Sequence, residues 1–208
     1  MKTIIQNFCQ SPYSSQAFAH LIHKCFDAEL MHTKTYKQHG DLRFCEIAHK
    51  KTLDQSRELA FLEFEVSSID AKVSLHKELK KLSEKQGFDA ILAVFVNPKY
   101  PQNFRMSLLT SGWDFENAKP IYSHPKRQSF LLGKDIKTRS AQDQLSKLQG
   151  ASSLEDIEEA FSLEQLSREF FQAITKHFTH LYENIKFPKD LNDCLLYTSD
   201  AADEHRDV

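Results

Sequence analysis

RELAFLEFEVSS, residues 57–68, decides how this chain folds. Successive side chains of an extended segment point to opposite faces. Leu59, Phe61 and Glu63 therefore project one way, and Ala60, Leu62, Phe64 and Val66 the other. Apolar groups on both faces predict a covered, central strand. Downstream, DAILAVFV (residues 89–96) is a near-continuous apolar run of strand length and predicts a second central strand. Residues 73–86 between them are rich in Lys and Glu, with Leu75, Leu79 and Leu82 spaced as one buried helical stripe and Gly87 as the left-handed residue after it. Strands joined by such a crossover helix imply a mixed α/β sheet with helices packed on it.

Further from this centre, SSQAFAHLIHKCF (residues 14–26) sets Phe18, Leu21, Ile22, Cys25 and Phe26 on one helical face. His20 and His23 have no acid or Cys at a spacing that completes a metal site, and read as surface histidines. Residues 28–51 read as extended, with a turn near His39-Gly40-Asp41 and an imperfect strand through Leu42, Phe44 and Ile47 that a bulge or loop interrupts. Phe104–Thr110 predicts another strand, Trp113 and Phe115 fall in a turn-rich loop with Trp113 packed over a sheet edge, and Phe130–Leu132 adds a last short strand.

The chain then turns helical. Ser152 with Glu155, and Ser162 with Gln165, are spaced for two capping boxes, and Phe161 and Leu166 for a hydrophobic staple. Leu163, Leu166, Phe170, Ile174, Phe178, Leu181 and Ile185 recur at spacings of three and four on one face of a long helix, widened by Phe171 and Tyr182. Pro188 predicts its end.

Composition narrows the class. The final stretch CLLYTSDAADE (residues 194–204) resembles the conceptual translation of a sequencing-library adapter, and 194–208 is set aside from fold reasoning. Without it the charge is close to balanced, 26 basic against 25 acidic residues, which neither demands nor excludes a nucleic-acid partner. Cys9, Cys25 and Cys45 form no C-x-x-C pair and suit a reducing compartment. No apolar run approaches the roughly 20 residues of a membrane span, so a cytoplasmic protein without a membrane partner is expected. Five glycines with no cluster among them argue against a Gly-rich nucleotide loop.

Phe130-Leu131-Leu132-Gly133, Thr138-Arg139, Leu154-Glu155-Asp156 and the run Ala160–Phe171 together resemble a region of the type IIG restriction–modification enzymes, single chains that join an endonuclease to an adenine-specific DNA methyltransferase. The resemblance covers about the last third of the chain, and upstream it extends only to the order of elements. It implies a restriction-endonuclease-like α/β domain over 1–135, a helical connector over 136–193, double-stranded DNA as partner, and a methyltransferase domain further on. S-adenosylmethionine would belong to that downstream domain alone.

Nucleases of that fold pair an acid with an acid-x-lysine on the next strand, and the carboxylates hold Mg²⁺, which activates water. The matching residues are Glu63 and Glu65, expected on one strand face about 7 Å apart as metal ligands. Glu46 is the candidate for the first catalytic acid, with Asp41 and Asp54 as competitors. Glu65 stands where the pattern wants lysine, so two readings stay open: a metal-dependent nuclease using Glu46, Glu63 and Glu65, or a degenerate scaffold that positions a methyltransferase or helicase partner on DNA. Lys126, Arg127, Lys134, Lys137 and Arg139, with Lys119 ahead of them, form a basic strip suited to phosphates. Asn97-Pro98-Lys99-Tyr100 is similar to the Asn-Pro-Pro-Tyr motif of adenine methyltransferases, but Lys99 replaces the second proline and the segment reads as a turn.

Overall fold

A computed structural model of the chain describes residues 1–114, 116–123 and 128–184, with the side chains of Gln55, Lys72 and residues 163–169 outside the description. The chain divides into two compact units, residues 1–163 and residues 164–208.

The first unit contains α1 (Lys2–Gln10), α2 (Ser15–Phe26), β1 (Tyr36–His39), β2 (Leu42–Thr52), β3 (Glu58–Glu65), α3 (Lys72–Gln86), β4 (Ala90–Val96), β5 (Asn103–Asp114), β6 (Lys119–Tyr122), β7 (Ser129–Gly133), α4 (Arg139–Leu145) and α5 (Leu154–Phe161). Its strands form one seven-stranded sheet in the order β1-β2-β3-β4-β5-β6, with β7 also paired to β5. β3 and β4 run parallel, as the crossover through α3 requires, and the other pairs are antiparallel. The fold is a mixed α/β sheet with flanking helices.

The alternation along β3 sorts its side chains as its sequence predicts. Leu59 and Phe61 join the core that includes Phe18, Leu21 and Ile22 of α2 and Ile157 and Phe161 of α5. Ala60, Leu62, Phe64 and Val66 join the core under α3, with Leu75, Leu79 and Leu82. Every residue of β4 is buried. Ser14 caps α2, accepting from the Ala17 N–H, and Gly87 ends α3 at φ +71°. In β2, alternation turns Phe44 to the α3 core and Ile47 to the α2 core, and the register shift between Glu46 and Ala48 lets the consecutive Ile47 and Ala48 share that second core.

Several expectations need correction. Lys2–Gln10 forms α1, an element not anticipated above, and buries Ile5, Phe8 and Cys9 at helical spacing. β5 continues through Trp113, which pairs with Pro120 of the unforeseen β6 and is 52% exposed, so it is not packed down on a sheet edge. The capping box of α5 is Ser153 with Asp156, one residue later than predicted, which frees Glu155 to bond Arg57 at 2.7 Å. The predicted Gln165 and Leu166 contacts lie outside the described side chains. The expected boundary after residue 135 is displaced to residue 163, because Ala141 and Leu145 of α4 and Leu154, Ile157, Ala160 and Phe161 of α5 belong to the core of the sheet. Gly133 closes β7 at φ +124°, where a Cβ would collide with the Gln102 carbonyl oxygen and Asn103 Cα. That collision accounts for the Leu-Gly end of the aromatic strand.

The second unit is described through α6 (Leu163–Asn184), whose Phe170, Phe171, Ile174, Phe178, Leu181 and Tyr182 are exposed. Ile185, Pro188 and the adapter-like tail lie outside the described residues. Among the described residues, no helix is long and apolar enough to cross a membrane.

Candidate active site

Cross-strand register shows which acids share a face. Cys45 is opposite Glu63 and Arg43 is opposite Glu65, so Glu63 and Glu65 project from the same side of β3, two residues apart. Glu46 is opposite Leu62, whose side chain packs in the α3 core. Pleating therefore sends Glu46 to the other face of the sheet, where Lys37 Nζ binds it at 2.6 Å. The expected trio of Glu46, Glu63 and Glu65 is not assembled. Neither does Asp54 replace Glu46: it binds Arg57 at 2.9 and 3.0 Å at the opposite end of the hairpin from Glu65. Asp41 lies in the β1–β2 turn at the Glu65 end of the sheet.

Glu63 is 4% exposed, the least exposed of these acids. A buried carboxylate is stable only when its oxygens are satisfied, and three elements distant in sequence supply the donors. Tyr13, in the α1–α2 connection, donates its hydroxyl to Oε2 at 2.6 Å. Lys34, in the segment before β1, places Nζ 3.0 Å from both oxygens. Tyr36 of β1 donates to Oε1 at 3.3 Å.

The electrostatics follow from this enclosure. Burial alone would raise the Glu63 carboxyl, but hydroxyl donors Ser15 and Tyr13 and the Lys34 ammonium outweigh it and hold it below the ordinary carboxylate range. Burial, reinforced by the Glu63 charge, pushes the Tyr13 phenol well above its usual value. The same two causes push the Cys45 thiol up to about 11, so the sulfur facing Glu63 stays protonated at neutral pH. Glu65, in contrast, is partly open and bound by Arg43 Nη1 at 2.8 Å, and that guanidinium lies 3.9 Å over the Tyr36 ring.

Those contacts test the fit of Mg²⁺. A divalent cation of this kind needs carboxylate oxygens free to enter an octahedral shell. Both Glu63 oxygens are engaged, Glu65 is held by Arg43, and Glu46 is on the far face. Among the described residues, no group of three or more His, Cys, Asp or Glu side chains is placed to hold a metal. The arrangement does not fit the ion. Its chemistry is that of a satisfied internal anion that ties the α1–α2 connection, the 31–35 segment and β1 to β3.

Tyr13, Lys34 and Tyr36 are the members that sequence reasoning misses. They lie 50, 29 and 27 positions from Glu63, and no local spacing connects them.

The basic strip is only partly within the described residues. Lys134, Lys137 and Arg139 are exposed between β7 and the first turn of α4, whereas Lys126 and Arg127 lie outside the described residues. Lys119 stands apart from them: it pairs with Asp114 at one end of β5, while Gly133 pairs with Asn103 at the other. Asn97-Pro98-Lys99-Tyr100 is a turn, with Asn97 Oδ1 accepting the Lys99 N–H at 3.0 Å and the Asn97 carbonyl accepting the Tyr100 N–H at 3.0 Å.

No protein-family model matches this chain, and no curated protein matches it. A solved structure that aligns with it is the crystal structure of a Methanococcus jannaschii putative family II inorganic pyrophosphatase, at 10% identity and a TM-score of 0.25. The alignment covers 57% of this chain and 33% of that one. A likeness of that size carries no functional argument.

Proposed function

We propose that this chain is the nuclease-like N-terminal region of a type IIG restriction–modification protein, and that it acts there as a non-cleaving scaffold holding an adenine methyltransferase on duplex DNA. The kinship is supported by Phe130–Gly133, Thr138-Arg139 and Ala160–Phe171 in the sequence, and by the succession of helix, hairpin, central strand, crossover helix and parallel strand. The observation that favours a scaffold over a cutter is the enclosure of Glu63, whose two oxygens are taken up by Tyr13, Lys34 and Tyr36. A carboxylate so engaged holds the fold together. Duplex contact falls to Lys134, Lys137 and Arg139, which are exposed and consecutive along one connection.

A cleaving reading has one observation in its favour: Lys34 stands against Glu63, so a lysine missing from position 65 is present in space. Incubation of the full chain with supercoiled plasmid and Mg²⁺ separates the two. The scaffold leaves the plasmid intact. Nicking that disappears in Glu63→Gln and Glu65→Gln would replace it with the nuclease. Replacing Lys134, Lys137 and Arg139 by Ala should reduce the slope of log affinity against log salt by about 3 for duplex DNA. An unchanged slope would remove those residues from the interface.

A further inference from the structure

α6 gathers on one face the kind of side chain that the first unit buries. Ten large apolar side chains are exposed among the described residues. Four of them, Val73, Tyr100, Trp113 and Ile121, are scattered over the first unit. The other six, Phe170, Phe171, Ile174, Phe178, Leu181 and Tyr182, all belong to α6 and are between 49% and 80% exposed. Single exposed apolar residues are ordinary on a protein surface, whereas a contiguous group marks an interaction site. At 3.6 residues per turn the six fall within about 120° of the helix circumference, one continuous face.

The spacing on that face selects the form of the partner. Phe171, Ile174, Phe178 and Leu181 follow one another at steps of three, four and three, the a and d positions of a heptad. Ile185 stands at the next step of four in the sequence, while Glu164 and Ser167 occupy the preceding a and d positions and end the seam on that side. A recurrence every 3.5 residues keeps one face of a helix against another helix, so the occupant of this face is itself helical.

Charge narrows the choice to a second α6. The positions beside such a seam decide which helices can pair. Here they are Phe170, Thr175, His177 and Tyr182, none of them an acid, lysine or arginine. Two copies therefore meet no like charge across the seam, whether they run parallel or antiparallel. Arg168, Glu169, Lys176 and Glu183 occupy positions on the opposite half of the helix. A membrane surface fits less well, because it calls for an excess of basic residues on the polar face. α6 has Arg168 and Lys176 against Glu164, Glu169 and Glu183.

Area supports the same occupant. Aromatic side chains bury about 150–250 Å² each, so six large side chains exposed to this degree present on the order of 700 Å². That is above the roughly 300–600 Å² of the largest patch on a typical monomer and close to the roughly 800 Å² that each partner gives to a stable interface. We propose that α6 pairs with α6 of a second copy of this chain, in a two-fold helix pair closed by Phe171, Ile174, Phe178 and Leu181. Both copies use the same patch, so association stops at two. The pairing does not depend on the restriction–modification reading.

Sedimentation equilibrium of the full chain tests it up to about 100 μM, since interfaces of this size range from micromolar to picomolar affinity. The expected result is a species of twice the monomer mass. Ile174→Glu combined with Phe178→Glu should return the chain to monomer throughout that range, and Lys176→Ala on the opposite half should leave association unchanged. Neither Ile174 nor Phe178 belongs to the cores of the first unit. Amide chemical shifts of residues 1–163 should therefore match the parent in the double variant, which shows that loss of the dimer is not loss of the fold. A parent chain that stays monomeric at every concentration overturns the pairing, and a monomer that co-sediments with phosphatidylglycerol vesicles overturns it in favour of a lipid surface. A dimer that survives the double variant, or oligomers that grow beyond two, also overturns it. Plasmid cleavage and duplex affinity depend on other residues, so either reading can fail without the other.

Discussion

The middle of β3 and its carboxyl end carry the same residue type on the same face, yet they are different environments. Glu63 is sealed under the α1–α2 connection and β1, with hydroxyls and one ammonium around it. Glu65, two residues on, meets a single guanidinium at the margin of the sheet and stays partly open. Strand geometry makes the two acids neighbours, but the covering segments decide their energetics. A buried charge that loses its surroundings is expensive, whereas an ion pair at the surface contributes little.

Replacing each acid is the most direct way to break that contrast. Glu63→Ala should cost about 2–3 kcal/mol, because it removes the shared acceptor of the Tyr13 and Tyr36 hydroxyls and of the partly exposed Lys34 ammonium. Glu65→Ala should cost less than about 1 kcal/mol. Urea unfolding followed by far-ultraviolet circular dichroism measures both, and equal losses would end the distinction.

Acid titration sharpens it. The folded Glu63 carboxyl titrates below its unfolded value of about 4.3, so the folded state binds fewer protons there. Its contribution is complete above that value and is lost as pH falls through the folded pKa. The Tyr13 phenol behaves oppositely: its pKa is raised, so its contribution is complete below about 10 and is lost as pH climbs towards the folded value. Glu63→Gln should flatten the acid limb of the stability curve and Tyr13→Phe the alkaline limb. Limbs unchanged by either variant would show that other groups control them.

Smaller effects grade the donors. Lys34→Met should cost about 1–2 kcal/mol, below the range for a fully buried partner because its side chain is 38% exposed. Arg43→Ala should change stability by about 0.5 kcal/mol or less. A reversal of that order in urea melts would mean that Glu65, not Glu63, anchors the hairpin.

Much of the fold was legible because its signals are local. Alternation in 57–68, the apolar run 89–96, the stripe Leu75, Leu79 and Leu82, and Gly87 each predict an element that forms, with bounds within a residue or two except at the carboxyl end of β3. The failures are also physical. Four-residue β6 has no strand pattern of its own and exists because β5 runs past the turn to receive it. The capping box moved by one residue because Ser152 and Ser153 are equivalent in sequence, and an Arg57 distant in the chain claims Glu155. Glu46 was misassigned because its face depends on register with β3, which the residues of β2 alone do not specify.

By itself the sequence determined that β3 is a central strand, that Glu63 and Glu65 share a side, and that a crossover helix leads to a second buried strand. These follow from a two-residue period and a 3.6-residue period, properties of neighbouring residues. Only the tertiary structure decided that Tyr13, Lys34 and Tyr36 close over one of those carboxylates and leave the other at the edge. Contacts spanning 27 to 50 positions arise from how loops fold back over a sheet, and no periodicity encodes them.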